Sequence, residues 1–252
     1  MKLIADLHTH TVACGHAFST VEENIRAARR AEMLVLAITE HGPSLPGGPH
    51  HYLLGAMSTI PAYIEGIRVL RGAELNIISS SGKLDLDQDR MSRLDLLLAG
   101  FHAGTPYPGN SRDENTQALC SAMENPYLDI IAHPDNPAYP VDYKEVVQKA
   151  VTEEIHLEIN VSSLKTSHPG RENGRQNCLD FLALGKKEGL RIAVGSDAHI
   201  SYAVGELQAA TKLLDEVNYP PELILNYSRE GLETFLEKRP ERVKKKLESG
   251  FL

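Results

Sequence analysis

The chain has 252 residues, close to the roughly 250 of one (β/α)-barrel domain, and at 42% hydrophobic it can fill a core and is not a disordered chain. A formal net charge of −8 argues against a protein that wraps nucleic acid. No apolar run approaches the roughly 18 residues of a membrane span, and the stretch from Met1 to His8 reads as a strand rather than a signal peptide, so cytoplasmic residence is expected.

In chain order, short apolar runs alternate with helical patterns. Strands are expected at 3–7, 34–39, 68–78, 94–100, 128–132, 157–161 and 192–194, each rich in Ile, Leu and Val and bounded by Gly, Pro or polar clusters. Helical spacing appears at 20–31, opened by the capping-box pattern Thr20-Val21-Glu22-Glu23, and at 57–66, 113–124, 143–154, 176–188 and 202–216. Two further helices are expected near the end, one from about 229 and one starting at Pro240, where proline suits a first turn. This alternation predicts α/β architecture with a parallel sheet, closed or nearly closed into a barrel, as one domain over 1–252. Cys14, Cys120 and Cys178 lie far apart without zinc-finger or redox spacing and are expected as free thiols.

The 11 histidines exceed by about twofold what ordinary composition gives, and their positions carry the functional reading. His8 and His10 follow the first strand. Residues i and i+2 point to one side, so both imidazoles can reach one cation. Asp197 and His199 repeat that spacing after the last strand. His41 follows the second strand, Glu74 ends the third, and His102 and His133 follow the fourth and fifth, with His16 in the first strand-helix loop. Catalytic groups of barrel enzymes gather at these C-terminal strand ends. Imidazole with a minority of carboxylates suits zinc, manganese or iron better than magnesium or calcium.

The segments His8-Thr9-His10, Cys14-Gly15-His16-Ala17, Thr39-Glu40-His41, Gly72-Ala73-Glu74, Gly100-Phe101-His102, Ala132-His133-Pro134 and Gly195-Ser196-Asp197-Ala198-His199, in this order, resemble the PHP (polymerase and histidinol phosphatase) superfamily, most of all its YcdX-type single-domain phosphatases. The resemblance spans nearly the whole chain. It implies a distorted, TIM-like (β/α)7 barrel with C-terminal helices and a trinuclear site, often of zinc. His8, His10, Glu74 and Asp197 would hold the first metal. Glu74 would bridge to a second, completed by His102 and His133, and His16, His41 and His199 would hold the third. Cys14 stands where relatives often carry a small hydroxyl residue; it is read as a core or loop thiol, with an extra ligand as the lesser alternative. Three divalent ions against two carboxylates would leave an anion-seeking pocket in an acidic protein, where a metal-bridging water could act as hydroxide on a phosphate ester. Glu74, Asp197 and His199 are the catalytic candidates in that scheme.

Arg171, in a polar loop before a helix, is a further catalytic candidate because a guanidinium matches phosphate oxygens; Arg175 and His168 in the same region are weaker ones. Asn160, Ser162 and Ser163 follow the one strand without a metal ligand and could contact substrate or the ligands. His50 and His51 are expected at an exposed rim, His156 as a structural residue, and Lys244 to Lys246 as a solvated helix face. The sequence therefore favours a phosphomonoesterase acting on a small phosphorylated metabolite, without a stable nucleic-acid or membrane partner, and is compatible with a homo-oligomer. A phosphodiesterase or exonuclease is disfavoured by the acidic balance and the absence of tryptophan stacking platforms. Histidinol phosphatase shares the same ligands. A metal-binding regulatory module would not need a full ligand set.

Overall fold

The computed structural model describes residues 1–165 and 172–250. Its first half contains β1 (Ala5–Asp6), α1 (Val21–Arg30), β2 (Val35–His41), α2 (His51–Gly55), β3 (Tyr63–Ile64), β4 (Ile67–Asn76), α3 (Gln88–Met91) and β5 (Leu96–Gly100). There follow α4 (Arg112–Ala122), β6 (Ile130–Ile131), α5 (Tyr143–Thr152), β7 (His156–Asn160), α6 (Gly174–Glu188), β8 (Ile192–Gly195), α7 (Gln208–Glu216) and α8 (Arg229–Glu248). Seven strands run parallel in the order β1-β2-β4-β5-β6-β7-β8, and β3 pairs antiparallel with β4 at its side. This is the expected distorted (β/α)7 barrel.

Closure occurs between β8 and β1, and it is uneven. At the C-terminal ends the two chains bond directly, with Asp197 N–H donating to His8 O (2.9 Å) and His10 N–H to Ala198 O (2.9 Å). At the other end the segment 224–226 is wedged between them. Ile4 N–H donates to Asn226 O (3.0 Å) and Leu225 N–H to Ile192 O (2.9 Å). The fully buried Asn226 side chain donates to Ala5 O (2.8 Å) and Val194 O (3.0 Å) and accepts from Val194 N–H (3.1 Å). One amide thus satisfies backbone groups of both strands that would otherwise be orphaned in the core.

Strand alternation sorts side chains into two layers. Ala5, Leu7, Val35, Ala37, Leu70, Leu96, Leu98, Ile130, Ala132 and Ala193 fill the barrel, and Leu232, Phe235 and Leu236 of α8 plug its N-terminal end. Leu36, Ile38, Leu75, Leu97, Leu157 and Ile159 face outward against helical residues such as Ile25, Leu119, Val146 and Phe181. The plug is fastened by Asp129, fully buried, which accepts from Arg239 Nε (2.8 Å), from Arg242 Nη2 and from Leu97 N–H (2.8 Å).

Three helical expectations are corrected. Region 57–66 forms a single 3-10 turn, Met57–Thr59, and then a hairpin, because Glu65 and Gly66 adopt left-handed φ (49° and 84°) that turns β3 back onto β4. In 202–216, Gly205 at φ 77° breaks the pattern, so a turn at Ser201–Ala203 precedes α7. The two expected terminal helices are one, α8, which runs through Pro240; Arg239 and Arg242, on either side of the proline, both grip Asp129 and hold the halves together despite the lost backbone bond. The short helices α2 and α3 were not expected, and the first and fifth expected strands are only two residues long. Helix α1 carries the expected capping box: Glu23 N–H donates to Thr20 Oγ1 (3.3 Å), and Thr20 N–H to Glu23 Oε2 (2.7 Å). Among the described residues no helix is long and apolar enough to cross a membrane.

Candidate metal centre

The site is the last layer of the barrel interior. In β2 the inward row Val35, Ala37 ends at His41; in β4 the row through Leu70 ends at Glu74; beyond β5 the row Leu96, Leu98 leads to His102. Apolar residues fill the lower turns of each row and a polar one caps it, so alternation aims the expected ligands. β1 departs from this. Ala5 and Leu7 both lie inside, yet His8 and His10 also enter the site, so alternation breaks just past the strand's last residue. His133 (φ 32°) and Asp197 (φ 55°) adopt left-handed backbone, uncommon for residues with a Cβ, at the turns where β6 and β8 end.

All nine expected ligands except the exposed His16 and the half-buried His199 are largely buried, and they converge. His8 Nε2 lies 3.0 Å from His10 Nε2, 3.2 Å from Glu74 Oε2 and 3.6 Å from Asp197 Oδ1; His10 Nε2 is 3.2 Å from Asp197 Oδ1. Glu74 Oε1 is 3.0 Å from His102 Nε2 and 2.8 Å from His133 Nε2, which are 3.2 Å from each other. His41 Nδ1 approaches Glu74 Oε2 at 2.8 Å, and His16 Nε2 faces His199 Nε2 at 2.9 Å. The donor atoms of His8, His10 and Asp197 lie within 4.8 Å of one another, as do those of His41, Glu74 and His102 and those of His10, His41 and His199. The first two expected groups are thus assembled. The third is close but shared, since His41 stands between Glu74 and the His16–His199 pair.

This chemistry fits divalent cations. Facing imidazole nitrogens compete for protons but can share a cation. His41 Nδ1 and Nε2 and Glu74 Oε2 are buried without a hydrogen-bond partner, an expensive state that a bound cation relieves. Burial penalises the charged forms throughout, but the environment sorts them. The carboxylates Glu158, Glu74 and Asp197 outweigh burial at His8 and hold its pKa well above the ordinary histidine value, whereas burial reinforced by His41 drives His10 well below it. Despite burial, His8, His102 and His41 hold Glu74 well below the usual carboxylate range, and His8 with His10 does the same for Asp197.

The far nitrogens of His8 and His199 are also held, and residues the sequence reading missed lie behind the expected ligands. Glu158 Oε1 accepts from His8 Nδ1 (2.7 Å), and His199 Nδ1 donates to the carbonyl of Asp197 (3.0 Å), so each ring turns its Nε2 lone pair inward. Glu40, buried, accepts from Thr11 Oγ1 and from the Cys14 thiol (2.7 Å), and Cys14 Sγ accepts from His41 N–H (3.2 Å) and lies 3.8 Å from His10 Nδ1. Burial pushes the Glu40 carboxyl up, and burial with Glu40 pushes the Cys14 thiol up, which keeps sulfur protonated and suits the buried-thiol reading. Cys120 is a free thiol as well. Asn160 Nδ2 and Ser162 Oγ reach Asp197 Oδ2 at 3.2 and 3.3 Å, as their position after the ligand-free strand suggested. Period-two alternation from the inward His156 would have flagged Glu158, and the side chain beside His41 could have flagged Glu40.

Other candidates lie elsewhere. Arg171 and His168 fall outside the described residues. Arg175 is exposed and pairs with Glu216 at 2.5 Å, away from the site. His50 caps α2, accepting from Tyr52 N–H, at an exposed position. His156 starts β7, fully buried, with its ring edge-on to Phe235 at 5.0 Å. Lys244 is solvated as expected, but Lys246 is not: it is half-buried and donates to Glu153 (3.0 Å).

The chain matches the PHP domain family over residues 6–218. It is 42% identical over 243 residues to a protein named probable phosphatase from Caldanaerobacter subterraneus, covering 96% of this chain and 94% of that one. Another probable phosphatase, from Acetivibrio thermocellus, is 41% identical over 246 residues, with 98% and 100% covered. The solved structure of a histidinol phosphate phosphatase from Lactococcus lactis, complexed with zinc, L-histidinol and phosphate, shares the fold at a TM-score of 0.61 and 16% identity, over 87% of this chain and 95% of that one. Barrel, family match and relatives agree: the chain belongs to the PHP domain family, on the phosphatase branch that these bacterial relatives represent.

Proposed function

We propose that this chain is a metal-dependent phosphatase that hydrolyses small phosphate monoesters, with His8, His10, Glu74 and Asp197 holding one divalent ion, Glu74, His102 and His133 a second, and His16, His41 and His199 a third. The observation that carries the reading is the convergence of seven imidazoles and two carboxylates at 2.8–3.6 Å, with buried nitrogens and a carboxylate oxygen left without partners. Zinc suits this donor set best, with manganese or iron as alternatives. When bound, such ions supply Lewis acidity and acidify a water toward neutral pH.

The chain's own residues orient that chemistry. Glu74 presents one oxygen to each of two ligand groups, which sets their spacing. Asn160 and Ser162 occupy Asp197 Oδ2 and leave Oδ1 turned toward His8 and His10. His199, whose side chain keeps 28% of its surface exposed, stands with His16 at the open edge where a phosphate would enter. Arg171 remains the candidate cation for gripping phosphate oxygens. The net charge of −8 favours a small metabolite, in one cytoplasmic barrel domain, over a polyanion.

The test is a panel of phosphate monoesters, histidinol phosphate included, beside single- and double-stranded DNA, with zinc- or manganese-loaded protein. Hydrolysis of one or more monoesters with negligible nuclease activity is expected. Nuclease activity that exceeds monoesterase activity in the same preparation would overturn the substrate class.

A further inference from the structure

β7 carries none of the nine expected ligands, yet its central inward residue, Glu158, is buried directly behind two of them. Its side chain is 1% exposed and meets three donors. Oε1 accepts from His8 Nδ1 at 2.7 Å. Oε2 accepts from the backbone N–H of His133 at 2.8 Å and from Asn160 Nδ2 at 3.2 Å. The same Asn160 amide reaches Asp197 Oδ2. We propose that Glu158 is a positioning residue of the metal centre, fixing His8 through its ring and His133 through its backbone, so that the ligands of two neighbouring ions are set by one carboxylate.

Hydrogen-bond arithmetic makes the carboxylate irreplaceable. With Nδ1–H donated to Glu158, His8 must present an Nε2 lone pair to His10, Glu74 and Asp197, and the adjacent negative charge raises the basicity of that nitrogen. The second oxygen holds His133 at φ 32°, the unfavourable backbone that brings its Nε2 to 2.8 Å from Glu74. A glutamine of equal volume offers one acceptor oxygen and one NH2 to sites that both need acceptors. Either the His133 N–H is orphaned, or His8 adopts the other tautomer and turns an N–H into the metal site. The fold also makes room for this contact. A Cβ at Gly195 of β8 would lie 2.4 Å from Glu158 Oε1 and 2.3 Å from the Cβ of His8.

This inference rests on the metal-centre reading, and its test separates the two. Full-length protein is stripped with chelator, and zinc is returned in competition with a chromophoric chelator. Glu158→Gln should bind zinc roughly 10–100-fold more weakly than wild type, while far-ultraviolet circular dichroism and the thermal midpoint of the stripped protein stay close to wild type. The cobalt-substituted variant should show altered ligand-field absorption, a signature that a purely packing role would not move. Glu158→Asp keeps the charge but withdraws both oxygens from His8 and His133 by one methylene, and should weaken zinc in the same direction; it carries the test alone if Glu158→Gln does not fold. Wild-type zinc affinity in the folded variants would overturn the role of Glu158. A wild type that binds no zinc would overturn the metal centre itself, and this inference with it.

Discussion

Glu74→Gln is the most informative single substitution. The carboxylate is fully buried and lies within 3.5 Å of five imidazole nitrogens, from His8, His10, His41, His102 and His133. Its Oε2 meets His8 and His10, and its Oε1 meets His102 and His133, so it faces the first two expected groups with separate oxygens. Glutamine keeps the volume and one carbonyl oxygen but removes the charge and replaces the second acceptor by an NH2 aimed at histidine nitrogens. Deleting one partner of a buried charged network costs about 3–5 kcal/mol, which corresponds to roughly two to four orders of magnitude in affinity for the bridged ions. The assay is zinc titration against a competing chelator, paired with turnover of an aryl phosphate and circular dichroism. The variant should keep the barrel, lose metal from the paired groups and lose nearly all turnover. A folded Glu74→Gln protein with wild-type stoichiometry, affinity and turnover would refute the bridging assignment.

Three other outcomes are expected. Asn226→Ala leaves buried groups of Ala5 and Val194 unpaired at the barrel seam and should cost about 2–5 kcal/mol in urea unfolding, whereas a loss under 1 kcal/mol would mean that the seam is held elsewhere. Burial, with Arg242 and Arg191, pushes His156 down to about 3, so the unfolded chain takes up this proton first as pH falls; its stabilising contribution is complete above about pH 6.5 and is lost between there and about pH 3, by roughly 1.4 kcal/mol at pH 5.5. In stripped protein, His156→Leu should therefore flatten the pH dependence of the urea midpoint, and an unchanged slope would reject the assignment. Arg171→Ala should reduce phosphatase activity by about 1.5–3 kcal/mol in transition-state stabilisation with metal content unchanged; wild-type kinetics would remove Arg171 from the candidates for phosphate binding.

What could be read from the sequence follows its physics. Strand-helix alternation and the polar residue capping each apolar strand row were visible as patterns, so the barrel and the convergence of His8, His10, Glu74 and Asp197 were within reach. Errors fell where a single backbone conformation outweighed periodicity. Gly66 and Gly205 redirect chains whose spacing looks helical, and Asp129 holds α8 through a proline that local rules would make a start. Glu158 and Glu40 were missed because they act through other side chains. A buried carboxylate in an apolar strand marks something held, but only the three-dimensional contacts identify His8 and His133, 150 and 25 residues distant, as what Glu158 holds.

The central claim, catalysis by ions held in this histidine-carboxylate layer, is tested most directly by one paired measurement on the intact wild-type chain. Metal content by elemental analysis and phosphomonoesterase rate are followed together through purification without chelator, stripping, and stepwise return of zinc or manganese. Close to three divalent ions per chain are expected at the start, with the rate falling as they are removed and returning as they are restored. Stripped protein that still hydrolyses phosphate esters at the full rate would contradict the central claim.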